Sequence, residues 1–167
     1  MNIFATSPDP YQAAEDLCDQ HVVKMASETA QMLCTALRRH GVEDDRLWKP
    51  AYQKHPCTLW AGDAKINFQW LAHHGLAICA EYSARYNKVH KAEAVIILCM
   101  RLATRHDVNL PYTGRHFPET FPQCMPDQYK HEDPHRAYRR YIVKEKTFAR
   151  YRYTKRPAWV PLKSTQP

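Results

Sequence analysis

A chain of 167 residues, 44% hydrophobic and 25% charged, is long enough to bury a core and has the balance of a single globular domain. No apolar run approaches membrane-spanning length, and the N-terminal stretch is too short and too uncharged for a secretory signal, so a cytoplasmic protein without a membrane partner is expected. The net charge is +7, and it is unevenly placed: residues 129–167 carry eleven Lys or Arg against three acidic residues, whereas residues 1–128 carry thirteen against fourteen. An anionic partner would meet the C-terminal end.

The first helix signal is Ser7-Pro8-Asp9-Pro10, where Asp9 can cap and Pro10 can take the first helical position. Helical periodicity then runs to about Arg39. There Arg38, Arg39 and His40 suit the negative helix end, and Gly41 is the stop. Residues 42–55 show no period. Pro56 opens a second expected helix to about Tyr86, whose buried stripe is Phe68, Leu71, Ala72, Gly75, Leu76 and Cys79. Trp60, Asp63, Asn67, Trp70 and His74 form a second stripe, which is either a domain boundary or the wall of a pocket. A third helix is expected over Ala92 to Arg105. The 107–128 connection holds four prolines and is long enough to suggest a function. Asp133-Pro134 opens a last helix to about Tyr151, followed by an extended tail. The expectation is an all-α, compact single domain spanning 1–167. It has about four main helices, a long Pro-rich connection and a basic aromatic helix and tail over 129–167.

Two stretches carry candidate chemistry. In the first helix, His21 and Glu28 point within about 20° of one another, and Lys24 lies about 40° away. Leu17, Met25 and Met32 share this stripe. A carboxylate among apolar side chains, one turn from an ammonium and two from an imidazole, is the pattern of a tuned acid/base site. It equally fits an i,i+4 surface pair with a boundary histidine. In the last helix and tail, Arg139, Arg140, Lys144, Arg150, Arg152 and Lys155 alternate with Tyr138, Tyr141, Phe148, Tyr151, Tyr153 and Trp159. Cations for phosphates and rings for unstacked bases are what a nucleic acid requires. A solvated basic helix with an aromatic core stripe is the plainer alternative.

Several classes are excluded by absent motifs. There is no Gly-rich phosphate loop, H-E-x-x-H, G-x-S-x-G or complete zinc-deaminase signature. The six cysteines form no close pair and no C-x-x-C, so neither a disulfide framework nor structural zinc is expected. Cys18 with His21, and His55 with Cys57, have the spacing of half a metal site. No second half with ligand-like spacing accompanies them, so no metal and no cofactor are expected.

Asp19-Gln20-His21 followed by Glu28 resembles the phage pyrimidine-dimer DNA glycosylases of the endonuclease V type. In that family a similar Asp-Gln-His opens the first long helix, and the catalytic Glu follows the His at the same seven-residue spacing as Glu28 here. His55-Pro56-Cys57-Thr58, Ile78-Cys79-Ala80-Glu81 and Arg156-Pro157-Ala158-Trp159 are similar more loosely. The resemblance implies a compact helical enzyme that flips a nucleotide out of duplex DNA and attacks the sugar with its N-terminal amine. The Glu then stabilises the intermediate. Ser27 stands where the family has a basic residue, and Asn2 is a poor second residue for removal of Met1. The chain also looks like a group of phage-encoded proteins that share Met1-Asn2-Ile3-Phe4, His21-Val22-Val23-Lys24-Met25, Met125-Pro126-Asp127 and the 138–141 region, a likeness that carries no function.

The resulting expectation is a DNA glycosylase acting on a damaged or modified base, with or without an AP-lyase step. Glu28, His21, Lys24 and the amine of Met1 are the catalytic candidates. Trp60, Asn67, Trp70, His74 and His55 are the candidates for holding a flipped nucleotide. Arg139, Arg140, Lys144, Arg150, Arg152 and Lys155 are those for phosphates. A non-catalytic nucleic-acid-binding protein and an enzyme on free nucleotides are the alternatives.

Overall fold

The computed structural model describes residues 1–105, 108, 110 and 121–161. Among them are α1 (Pro10–Glu15), α2 (Asp19–Arg39), α3 (Pro56–Asp63), α4 (Lys65–Tyr86), α5 (Ala92–Arg105), a 3-10 turn (Asp127–Tyr129) and α6 (Pro134–Glu145), and no strand. The fold is all-helical, as the periodicity implied. No helix is long and apolar enough to cross a membrane among the described residues. The 107–128 connection lies largely, and residues 162–167 wholly, outside the described residues.

α2 is the central element and packs against α3, α4 and α5, while α1 lies on α4. Its expected core face is buried: Val22, Ala26, Ala30, Leu33 and Leu37 are all inaccessible to solvent. Gly75 lets α4 approach closely, because a Cβ there would meet Thr29 Cγ2 of α2 at 2.5 Å and Ile96 Cδ1 of α5 at 2.9 Å. Five of the six cysteines are buried, and all six are free thiols.

Three expected helices are shorter than their periodicity suggested. The first is interrupted at residues 16–18, where Cys18 is extended (φ −67°, ψ 164°) before α2 begins. Arg85, with a side chain 1% exposed, occupies the gap. It donates to Leu17 O at 2.7 Å and to Glu81 at 2.7 Å, and reaches Glu15 O and Asp19 at 3.4 Å. A residue distant in sequence thus satisfies the carbonyls that the break leaves open. The second helix is interrupted at Ala64 (φ −153°, ψ 148°), and Asn67 Nδ2 donates back to Trp60 O at 2.9 Å to close the end of α3. The last helix stops at Glu145, whose carboxylate accepts a hydrogen bond from Tyr129 OH. Residues 146–161 then continue as turns and extended chain.

Candidate active site

The N-terminal segment is buried from Asn2 to Ser7, and side chains from two helices meet the carbonyls of residues 3–10. From α4, Trp70 Nε1 donates to Pro8 O at 2.8 Å, and the His74 ring lies between Pro10 O at 2.9 Å and Ile3 O at 3.3 Å. From α6, the His135 ring contacts Ala5 O at 2.7 Å and Arg139 Nε donates to Thr6 O at 2.8 Å. Thr6 Oγ1 donates to Asp16 at 2.8 Å, and Asn2 Nδ2 donates to Cys124 O at 2.9 Å. Asn2 Oδ1 accepts from Ile3 N at 2.8 Å and Phe4 N at 3.4 Å. This turn supports Phe4 in the left-handed region at φ 55°, an uncommon conformation for a bulky side chain.

The clasp brings the first residues onto α2. Met1's amine lies 4.0 Å from Glu28 Oε2, and the backbone N–H of Asn2 donates to that same oxygen at 2.9 Å. The other oxygen of Glu28 pairs with Lys24 Nζ at 3.2 Å. Glu28's side chain is 12% exposed while Lys24's is 69% exposed, so the site opens to solvent on the Lys24 side. Met1's side chain is 1% exposed, and its thioether accepts from Thr58 Oγ1 at 3.3 Å. The amine, Glu28 and Lys24 are therefore together, as expected for three of the four catalytic candidates.

His21, the fourth, stacks on Phe4 with ring centroids 4.5 Å apart and meets the edge of Phe148 at 5.6 Å. Burial, then the charges of Lys146 and Lys24, lower its pKa to about 4. It is a neutral ring in the wall beneath the N-terminal turn.

His55 stands at the start of α3, where its Nδ1 accepts from Cys57 N at 3.2 Å. Burial lowers its pKa first, and the Met1 amine adds to this against the opposing effect of Glu28. Cys57 and Cys124 lie with their sulfurs 3.5 Å apart. The hydrogen bond from Cys57 holds the more exposed Cys124 down to about 7; that same contact, followed by burial, pushes Cys57 up.

The remaining substrate-binding candidates lie in the core. Trp60, Asn67 and Trp70 are each 5% exposed, and His74 is fully buried. Trp60 and Trp70 pack edge to face at 6.2 Å, and Trp70 stacks on His74 at 4.8 Å. Burial lowers the His74 pKa to about 4, against its two carbonyl contacts, so the neutral ring donates to one carbonyl at a time. The mixed stripe of the second expected helix thus holds the N-terminal segment from beneath.

The pyrimidine dimer DNA glycosylase family matches residues 1–94, more than half of the chain. The chain belongs to this family. Membership makes it a DNA glycosylase with DNA as its substrate, and the matched span contains Met1, Lys24, Glu28 and all of α1 to α4. No curated protein and no solved structure matches the chain.

The phosphate candidates divide into two groups. Arg139 is turned inward onto Thr6 O, with its guanidinium 5.9 Å from the Trp159 ring. Arg140, Lys144, Arg150, Arg152 and Lys155 are exposed. The segment carrying Arg150 and Arg152 is fixed to the start of α2: Asp19 N donates to Arg150 O at 2.8 Å, and Arg152 N donates to Asp19 Oδ2 at 2.7 Å. Gln20 adds bonds to Phe148 O and from Arg150 N. From Gln20 to Glu28 the helix rises about 12 Å. Two exposed arginines are thus anchored at the N-terminal end of the helix that carries Glu28.

Sequence reasoning missed Asn2, Phe4, Thr58 and Cys124 as parts of this site. Only Asn2 carried a local signal, as an Asx-turn former ahead of two apolar residues.

Proposed function

We propose that the chain excises pyrimidine dimers with the amine of Met1 as nucleophile and Glu28 as the carboxylate that steadies the cationic sugar. The supporting observation is the 4.0 Å approach of that amine to Glu28 Oε2 in a largely buried setting, with the α-amine held by a packed Met1 side chain. The neutral amine attacks C1′ of the flipped nucleotide as the glycosidic bond to the base breaks, and the base carries away the bonding electrons. The amine's proton passes to Glu28 or to water. The C1′–O4′ bond then breaks, O4′ takes up that proton, and the opened sugar is left as a protonated imine facing the Glu28 carboxylate. Lys24 orients the carboxylate from the solvent side, and the neutral ring of His21 fills the wall beneath it. Arg150, Arg152, Arg140, Lys144 and Lys155 are the phosphate contacts. Strand cleavage at the imine is the accompanying lyase step.

A second reading of the nucleophile rests on Asn2 N, which at 2.9 Å is closer to Glu28 than the Met1 amine is. Removal of Met1 would turn this atom into the reacting amine.

The test is incubation with ultraviolet-irradiated duplex DNA in the presence of borohydride, followed by mass mapping of the adduct. A damage-dependent adduct on the N-terminal peptide is expected, and its mass shows whether Met1 is present. Alkali-labile sites without an adduct would replace the amine with water activated by Glu28. Neither product would refute the dimer reading.

A further inference from the structure

We propose that His55, Cys57 and Cys124 form a binding site for a thiophilic divalent cation of the zinc class, beside the N-terminal amine. His55 and Cys57 come from the start of α3, while Cys124 comes from the extended segment ahead of the 3-10 turn. That segment is fixed from both sides, by Asn2 Nδ2 on Cys124 O and by Tyr138 OH on Pro122 O. One donor atom from each of the three side chains lies within 4.8 Å of the other two, and no other group of three such donors converges among the described residues. The half-site spacing at His55 and Cys57 thus finds its missing partner from 67 residues further along the chain.

The sulfur separation, that of a thiol–thiol hydrogen bond, also suits two ligands of one ion without rearrangement. Two thiolates each about 2.3 Å from one tetrahedral ion stand about 3.8 Å apart, whereas a disulfide requires about 2.05 Å. The observed separation is 3.5 Å. The same arithmetic puts an imidazole nitrogen about 3.6 Å from each sulfur, so the half-exposed His55 ring closes on the ion by about 1 Å of side-chain movement. Charge also balances. Coordination releases two thiol protons to solvent, and the two thiolates neutralise the dication, so the site adds no net charge beside the Glu28–Lys24 pair. Soft sulfur and imidazole donors select zinc over magnesium or calcium. The second close thiol pair, Cys34 and Cys99 at 3.6 Å, has no third donor and serves as the internal control.

Three protein donors leave a fourth position, and the N-terminal residues lie against the ligands: Thr58 Oγ1, next to Cys57 in sequence, donates to the Met1 thioether at 3.3 Å, and Asn2 Nδ2 donates to Cys124 O at 2.9 Å. A bound cation would take or crowd the lone pair of the Met1 amine. Zinc would then silence the enzyme, a consequence that rests on the amine being the nucleophile.

Titration of the reduced, metal-free full chain with cobalt(II) tests the site without reference to activity. One equivalent is expected to give the near-ultraviolet thiolate charge-transfer band and the visible bands of tetrahedral cobalt. Zinc should displace both sets of bands. Cys124→Ser and His55→Ala should each weaken cobalt binding at least about 100-fold, since even outer-shell changes cost 10- to 100-fold. Cys34→Ser should leave the bands intact. Absence of the bands in the reduced wild type, or their persistence in both Cys124→Ser and His55→Ala, would overturn the site. Zinc should also inhibit excision from irradiated duplex by the wild type more than by Cys124→Ser. Cobalt binding without zinc inhibition would keep the metal site and reject the amine as nucleophile.

Discussion

Glu28→Gln should separate catalysis from binding. On the proposed mechanism the cationic sugar develops beside the carboxylate oxygen that lies 4.0 Å from the amine. At that distance a unit charge pair in an effective dielectric of 20 interacts by about 4 kcal/mol. Lys24 at 3.2 Å draws off part of this field, which brings the expected loss to about 3 to 4 kcal/mol, or 100- to 1,000-fold in rate. The fold should survive, because the Gln oxygen can still accept from Asn2 N. Loss of the two ion pairs costs about 1 kcal/mol. Affinity for DNA should stay within about threefold and move towards tighter binding, since one negative charge is removed near the phosphates. Single-turnover excision of irradiated duplex, read as alkali-sensitive strand breaks, gives the rate; fluorescence anisotropy on the same duplex gives the affinity. Rate and affinity falling together would show that Glu28 holds the structure rather than the transition state. An unchanged rate would remove it from the chemistry.

Asn2→Ala deletes the turn that supports Phe4 and the bond to Cys124 O, three hydrogen bonds in all. It should slow borohydride trapping at least about tenfold, with duplex affinity unchanged, as expected when positioning is lost. Arg139→Ala should act the same way through Thr6 O. Arg150→Ala and Arg152→Ala should instead weaken binding and each lower the salt slope by about 1, as read from anisotropy over a salt series. Stability should fall as pH drops from about 6.5 towards 4. His21 and His74 have pKa values lowered to about 4, so in that window the unfolded chain binds more protons than the folded one. Each contributes about 2 kcal/mol of loss at pH 5 relative to pH 8, measurable by urea unfolding. A pH-independent midpoint over this range would refute the burial of both rings.

Helical class, the core face of α2 and the Glu28–Lys24 pair were legible in the sequence because they depend on spacings of three and four within one helix. The interruptions at Cys18 and Ala64 were not. Apolar periodicity continues across both, and the residues that satisfy the broken turns, Arg85 and Asn67, act from elsewhere in the chain or backwards along it. The aromatic stripe of Trp60, Trp70 and His74 was visible as a pattern but ambiguous in role. Whether such a face lines a cavity or clasps a buried segment depends on what lies against it. Here the occupant is the N-terminal segment, whose short apolar run carries no sign of its destination. Arg139 shows the same limit in the basic stretch. Its neighbour Arg140 is exposed, and only the Thr6 carbonyl distinguishes the two.

The family match ends at residue 94, yet the N-terminal amine is not held near Glu28 by residues 1–94 alone. Glu28 and Lys24 of α2 and the Thr58 and His74 contacts lie within the match. Cys124 O, the His135 ring and Arg139 Nε lie outside it and hold Asn2, Ala5 and Thr6. The buried stretch between Met1 and Ser7 has no secondary-structure ladder to satisfy its backbone, so each of these carbonyl contacts replaces a bond that water would otherwise make. Loss of the later residues would leave Glu28 on an intact helix and the amine free to leave it. On the proposed mechanism the C-terminal third has two tasks: its exposed arginines would meet the phosphates, and its inward-facing His135 and Arg139, on Ala5 O and Thr6 O, would hold the N-terminal segment near Glu28.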